Sequence, residues 1–177
     1  PPEDSIPNIS NELNLDLADS ACLFSGGLDS FTGAIDLLEN GYKPILVSHY
    51  SDTSTSTQPL CATHIAQEHK GADHRHIRIR TIFPTDLIEP EGTENTLRAR
   101  SFLFFAFGAV VASAIQGTTK LFVPENGLIS LNIPLDAMRL GAWSTRTTHP
   151  FYMARWQNIL DAISTNVSIE NPYRFKT

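Results

Sequence analysis

Three helical segments of this chain each end at a glycine, and a predicted strand follows each of them. The glycines are Gly41, Gly71 and Gly117. Glycine is common just past a helix C-terminus, and short apolar runs between turns are typical of strands buried on both faces. Because parallel neighbouring strands need crossovers, the repeated order of helix, glycine and strand predicts an α/β fold, an open and mainly parallel sheet with helices on both faces.

The spacing of apolar residues gives the expected elements. Strands are predicted at 21–24, 44–48, 76–80, 121–123 and 167–169, and helices follow the turn at 25–30 and cover 58–70, 97–116 and 151–163. Either Asp29 or Ser30 is expected to cap the first helix. The helix at 97–116 is apolar nearly all round, which predicts burial between layers.

Length and composition indicate one globular domain. The chain has 177 residues, of which 41% are hydrophobic and 18% charged, enough for a sizeable core. We assign the domain to residues 20–177, with 1–19 as a tether or an edge strand, and both ends suggest a portion of a longer chain, truncated at the C-terminus. The net charge of -6 gives no general attraction to nucleic acid or to an anionic membrane, so neither is indicated as a partner.

The cysteines and histidines do not predict a metal site. Cys22 and Cys61 are too few for a zinc site or a disulfide framework within this chain, and a reducing cytoplasm fits them best. His74 and His76 would face one side of a strand, but no Cys, Asp or Glu at matching spacing completes a ligand set. The longest apolar stretch, 101–115, is shorter than the roughly 20 residues that span a bilayer, which predicts a buried helix.

The segment Ser25-Gly26-Gly27-Leu28-Asp29-Ser30 joins the first strand to the first helix. A glycine-rich turn here leaves backbone N–H groups unpaired beside the positive end of the helix dipole, an arrangement that binds phosphate. The two serine hydroxyls add donors, and the glycines let oxygens approach the backbone. The segment is neither a Walker A sequence nor Gly-x-Gly-x-x-Gly. A tight turn with Asp29 as a plain helix cap is the alternative.

This segment resembles the signature of the PP-loop (N-type) ATP pyrophosphatases, which include GMP synthetase, asparagine synthetase, tRNA-thiolating enzymes and 7-cyano-7-deazaguanine synthase. The resemblance implies an adenine nucleotide alpha-hydrolase-like fold, with ATP and Mg²⁺ as cofactors and residues 25–30 around the pyrophosphate. In the family, ATP is split between its α and β phosphates to adenylate a carboxylate or carbonyl substrate. On this basis Asp29, Ser30 and Arg100 are the expected catalytic residues.

Further segments are similar to one branch of the family. They are 96–103, which opens the long helix, 124–127, which follows the fourth strand, and 144–150. With the turn, they resemble the 7-cyano-7-deazaguanine synthase-like proteins of bacterial antiphage operons, the QatC type of the Qat system. That likeness implies other proteins of a defence operon as partners. The synthases close with four zinc-binding cysteines, a cluster that this chain lacks, so zinc is not expected within it.

Position and side-chain chemistry suggest roles for residues beside the turn. The guanidinium groups of Arg98 and Arg100 suit phosphate oxygens or a substrate carboxylate. Glu125 can hold magnesium or a substrate amine, and Asn126 can pair with a base edge. A solvated helix start and an ordinary polar turn are the plainer interpretations of these two pairs.

The polar stretch 139–149 is predicted to be a loop that binds the substrate. Its candidate residues are Arg139, Ser144, Arg146, Thr147 and His149. A surface loop that caps the last helix through Thr148, with Pro150 in the first turn, is the plainer alternative. The adenine is expected near the end of the second strand, against His49 and Tyr50.

Together these features predict an ATP-dependent, ligase-like enzyme. Its small-molecule substrate would be a carboxylate, by resemblance 7-carboxy-7-deazaguanine, whose acyl group passes to an amine. Catalysis would come mostly from positioning and charge neutralisation, because the chain offers no obvious nucleophile. Two alternatives stay open: an enzyme that modifies a tRNA base, which the acidic balance argues against, and a subunit of a defence complex that binds ATP or AMP without turnover.

Overall fold

The computed structural model describes residues 15–50, 57–69, 75–81, 100–131 and 147–176. After a 3-10 helix at Leu15–Leu17, the elements in chain order are β1 (Ser20–Leu23), α1 (Leu28–Glu39), β2 (Pro44–Tyr50), α2 (Gln58–Glu68), β3 (His76–Arg80), α3 (Arg100–Ala114), β4 (Thr119–Phe122), α4 (Gly127–Ser130), α5 (Pro150–Ala162) and β5 (Val167–Glu170). Most predicted bounds agree within two residues, the usual scatter at helix ends.

The five strands form one parallel sheet in the order β3-β2-β1-β4-β5. In the central strand, Ser20 lies opposite Pro44 of β2 on one side and Lys120 of β4 on the other. On one side of β1 the chain places β2 and then β3. It then crosses to the other side of β1 and places β4 and β5 there. The predicted α/β fold is therefore confirmed, and the reversal of direction makes a crevice between the carboxyl ends of β1 and β4.

Alternate residues of the central strand point to opposite faces of the sheet. Ala21 and Leu23 join a core cluster with α3 and α5, whereas Cys22 and the following Phe24 join a second cluster with α1 and α2. The Cys22 thiol is completely buried, and this burial raises its pKa. Helices thus cover both faces, as the helix-glycine-strand pattern predicts.

Two of the three glycine stops have the backbone conformation that glycine favours. Gly41 has φ +82° and Gly117 has φ +86°, both in the left-handed region. Nothing lies within 4 Å of a side chain built at either position. Their backbone conformation, not a lack of space, is therefore what calls for glycine there. Gly71 lies outside the described residues.

The long apolar helix is less buried than its composition predicts. In α3 the Phe102 side chain is 53% exposed and Val110 is 68% exposed, so the expectation of burial between layers was wrong. The reason is that only one side of α3 meets the sheet, through residues such as Phe105 and Ala112. Within the described part of the chain, no helix has both the length and the apolar character needed to cross a membrane.

The fourth strand begins before its predicted apolar run. It covers Thr119–Phe122, because Lys120 already pairs with Ser20 of the central strand. The first residues are a buried threonine and a lysine, which a search for apolar runs passes over. Val123 and Pro124 follow the strand, and the polar residues Glu125 and Asn126 come after them.

Candidate functional site

The glycine turn between β1 and α1 has an open, regular geometry. Gly26 has φ +80°, and Gly27 is the extended N-cap residue of α1. The Ser25 and Ser30 hydroxyl oxygens lie 3.1 Å apart. Gly27 N–H donates to Ser25 Oγ at 3.3 Å, and Ser30 Oγ donates to Gly27 O at 2.9 Å. The two serines thus brace the turn from both of its ends.

The turn faces solvent on one side and protein on the other. Ser25 and Gly27 are exposed, and Leu28 is 80% exposed. On the protein side, the Thr57 hydroxyl at the start of α2 donates to Gly26 O at 3.3 Å. The first amides of α1 have no acceptor within the helix, and they lie at the positive end of its dipole. This surface has the donors and the field that bind an anion such as phosphate.

Asp29 does not cap α1, contrary to the expectation from sequence, and neither does Ser30. The N-cap is Gly27, which makes no side-chain cap. The Asp29 carboxylate instead accepts from both the backbone N–H and the side-chain amide of Asn126, at 3.0 and 2.9 Å. Asn126 in turn caps α4, because its Oδ1 accepts from Ile129 N–H at 3.1 Å. Asp29 and Asn126 therefore bridge the crevice between β1 and β4.

Glu125 lies beside this bridge in a partly buried polar cluster. The Thr148 hydroxyl donates to Glu125 Oε2, and it lies 2.9 Å from the Ser130 hydroxyl. Burial raises the pKa of Glu125; the bond from Thr148 lowers the pKa, and the nearby Asp29 charge raises it again. A carboxyl group poised in this way can exchange a proton nearer to neutral pH than a free glutamate does.

The cap of the last helix differs from the plainer alternative, in which Thr148 would be the cap. Thr148 is turned toward Glu125, and the N-cap of α5 is His149, whose Nδ1 accepts from Phe151 N–H at 3.2 Å. Pro150 does occupy the first turn. The Thr147 hydroxyl lies 3.0 Å from that of Ser101 on α3. Thr147 and His149 thus connect α3 and α5 near the site, and substrate binding by them stays a prediction.

The nucleotide-binding candidates on β2 lie beside the start of α3. Burial and the Arg100 charge both lower the pKa of His49, whose ring stacks on Phe107 with 6.0 Å between centroids. The Arg78 guanidinium lies over the ring of Tyr50, 4.3 Å from the ring centroid. Arg100 is exposed and begins α3. Four other candidates, Arg98, Arg139, Ser144 and Arg146, lie outside the described residues.

Asn171 is a site neighbour that the sequence reasoning missed. It follows β5 and is 5% exposed, and its side-chain amide bonds Glu125 O at 2.8 Å and Ser130 Oγ at 2.9 Å. The rule that drew attention to Glu125, a polar residue just past the end of a parallel strand, would have found Asn171 as well.

The structure describes only one of the two histidines that would face one side of β3, for which the sequence predicted no metal site. His76 Nε2 lies 2.7 Å from the Ser48 hydroxyl, and His74 lies outside the described residues. Among the residues that the structure describes, no group of three or more His, Cys, Asp or Glu side chains is placed to hold a metal ion.

Comparisons with known proteins add a fold-level likeness. No family model matches the chain, and no curated protein matches it. Among solved structures, the chain is similar to a predicted subunit of a tRNA methyltransferase from Methanocaldococcus jannaschii. The two chains are 14% identical with a TM-score of 0.47, and the alignment covers 91% of this chain and 70% of that one.

Proposed function

We propose that this chain binds ATP with its phosphates on residues 25–30 and adenylates a carboxylate, in the manner of the PP-loop ATP pyrophosphatases. The observation that carries the proposal is the glycine turn itself. It is open to solvent, it presents the first amides of α1, and it lies where the strand order reverses, which is where open α/β sheets bind ligands.

The turn suits a pyrophosphate group in particular. Gly26 adopts the positive φ on which the turn depends. The exposed Ser25 hydroxyl can donate to a phosphate oxygen once it gives up its contact with Ser30, whose own hydroxyl donates to Gly27 O. Mg²⁺ bound to the nucleotide phosphates would supply positive charge as the pyrophosphate leaves. An acidic chain of net charge -6 needs such local donors, because its overall field repels anions.

The reaction balances as two displacements. A carboxylate oxygen of the substrate attacks the α-phosphorus, the bond to the bridging oxygen breaks, and pyrophosphate leaves with the electron pair. An amine then attacks the acyl carbon, and AMP leaves. Glu125 lies beside Asp29 with a raised pKa, so we assign it to accept the proton that the amine loses. We propose 7-carboxy-7-deazaguanine as the carboxylate and an antiphage defence operon as the setting, on the resemblance of the sequence motifs.

The test is pyrophosphate release from Mg²⁺-ATP with 7-carboxy-7-deazaguanine. The double variant Asp29→Ala, Ser30→Ala should lose release, because it removes both the crevice bridge and a hydroxyl of the turn. Thr32→Ala is the matched control, since Thr32 is exposed one turn further along the same helix. Release that survives in the double variant would refute the site, and ATP binding with no release from the wild-type protein would favour a nucleotide sensor.

A second candidate is an enzyme that modifies a tRNA base. Two exposed cations favour it, Arg80 at the end of β3 and Arg100 at the start of α3. They belong to elements beside the end of β2, so a phosphate backbone could lie across this side of the sheet. The same assay with tRNA in place of the deazaguanine distinguishes the two substrates, and the Arg80→Ala variant should weaken only the response to tRNA, because Arg80 has no expected part in the ATP reaction.

A further inference from the structure

Asn171 uses its whole side-chain amide in hydrogen bonds. Its Nδ2 donates to Glu125 O at 2.8 Å and to Ser130 Oγ at 2.9 Å. Its Oδ1 accepts from Glu125 N–H at 3.3 Å and from Tyr173 N–H at 2.9 Å. An asparagine side chain offers two hydrogens and two acceptor positions, so this amide is fully occupied and held in one orientation.

The two bonds to Glu125 continue the sheet beyond its last backbone pair. Strand pairing between β4 and β5 ends with Val123 N–H donating to Glu170 O at 2.9 Å. One residue past the end of β5, the Asn171 side chain replaces the backbone as the partner of both the N–H and the C=O of Glu125. The backbone of Glu125 is therefore fixed although it lies outside the sheet.

Asn126, the residue after Glu125, connects this segment to the glycine turn. Asn126 donates from its backbone and its side chain to the Asp29 carboxylate. From Asn171, a path of direct hydrogen bonds and one peptide link thus leads to Asp29 at the start of α1. The segment after β5 also bonds the next turn, because Gly127 N–H donates to Lys176 O at 2.7 Å.

We propose that Asn171 is a positioning residue, which holds the Glu125-Asn126 segment in place. In this position Asn126 bonds Asp29, and Glu125 faces the crevice. The assignment of a catalytic consequence rests on the proposed function. The role of Asn171 in holding the segment is independent of the proposed function, because its hydrogen bonds can be tested in the protein without any substrate.

The experiment is amide hydrogen exchange, measured by NMR in the full chain. In Asn171→Ala, the amides of Glu125 and Asn126 should exchange about tenfold faster. The loss of a typical hydrogen bond changes the equilibrium for local opening by about this factor. The Phe24 amide, which donates to Val47 O, is the reference. After correction for any change in the global free energy of unfolding, it should exchange at the same rate in the variant as in the wild-type protein. Asn171→Asp keeps the oxygen that accepts from Glu125 N–H and loses the donor to Glu125 O, so it should give a smaller change at the Glu125 amide than Asn171→Ala does.

Tyr173→Phe is the matched control. It lies on the same segment and loses a hydrogen bond, from Tyr173 Oη to Asp36 Oδ2 at 2.5 Å, that does not touch Glu125. Uniform acceleration at all three amides, or equal effects of the Tyr173 and Asn171 variants, would reduce Asn171 to a general stabilising residue and overturn the proposal.

Activity separates the two proposals. If the wild-type protein releases pyrophosphate, Asn171→Ala should lower kcat about tenfold and leave the KM for ATP nearly unchanged, because the glycine turn is intact while the crevice loop is misplaced. No release from the wild-type protein would refute the proposed function and leave the exchange result to decide on Asn171. Release with an unchanged kcat in the variant would refute the positioning role alone.

Discussion

At the scale of single residues, two features of the structure explain why glycine occupies the position of Gly26. Its φ of +80° is a conformation that costs other residues about 1–2 kcal/mol. A Cβ there would also meet the Thr57 hydroxyl oxygen at 3.0 Å and the Gln58 backbone nitrogen at 3.1 Å. We predict that Gly26→Ala lowers the free energy of unfolding by about 1–2 kcal/mol and weakens pyrophosphate binding at least about tenfold, since the turn must move away from α2. Urea unfolding and titration calorimetry measure the two effects.

Two other glycines supply the control for this substitution. Gly41 and Gly117 have similar positive φ values, but nothing lies within 4 Å of a Cβ built on either. Gly41→Ala and Gly117→Ala should therefore carry the conformational cost and leave pyrophosphate binding unchanged. Equal binding by Gly26→Ala and these controls would show that the turn does not hold the anion.

At the scale of elements, α1 approaches the segment after β4 at Gly33. A Cβ at this position would lie 2.4 Å from Pro124 Cβ, so Gly33→Ala must push α1 away from the crevice loop. We predict a loss of about 1–3 kcal/mol from overpacking, which exceeds the gain of helix propensity, and faster exchange of the Asn126 amide as Asp29 is displaced. Chemical unfolding and NMR exchange test these two results.

The comparison for Gly33 is Gly108 on α3. There a Cβ would meet the ends of two side chains, Leu23 Cδ2 at 2.5 Å and Leu121 Cδ1 at 2.8 Å. These can turn aside, so Gly108→Ala should disturb the opposite face of the sheet and spare the Asn126 amide. The prediction for Gly33 is wrong if both variants change that amide alike.

At the scale of the whole molecule, pH should act on stability through His76. Burial, with help from the Arg78 charge, lowers the pKa of His76 to about 4, against 6.5 for a free histidine. Between these values the unfolded chain binds a proton that the folded chain does not, so the free energy of unfolding falls as the pH falls. From pH 7.5 to 5.0 the wild-type protein should lose about 1–2 kcal/mol more than His76→Gln, after allowance for partial exposure.

Urea unfolding of both proteins at the two pH values provides this measurement. Glu125 acts in the opposite direction, because its pKa is raised in the folded state, but both proteins contain it. An equal pH dependence in the two proteins would mean that His76 titrates normally when folded.

The sequence predicted the sheet better than the site. Glycine stops and apolar runs are local signals, and they located the five described strands. The partner of Asp29 could not be found in this way, because Asn126 is 97 positions away along the chain. Local rules therefore offered a helix cap for Asp29, and for Thr148 as the plainer alternative, whereas the fold gives each of them a partner far away along the chain.

The central position of β1 has a consequence for the order in which the protein can form. Ser20 is synthesised well before Lys120, one of its partners, and β5 follows only at Val167. During synthesis β1 can pair with β2 long before β4 exists, which leaves one of its edges open. Such distant pairing slows folding, so newly made chains should depend on chaperones at this stage more than a helical protein of equal length.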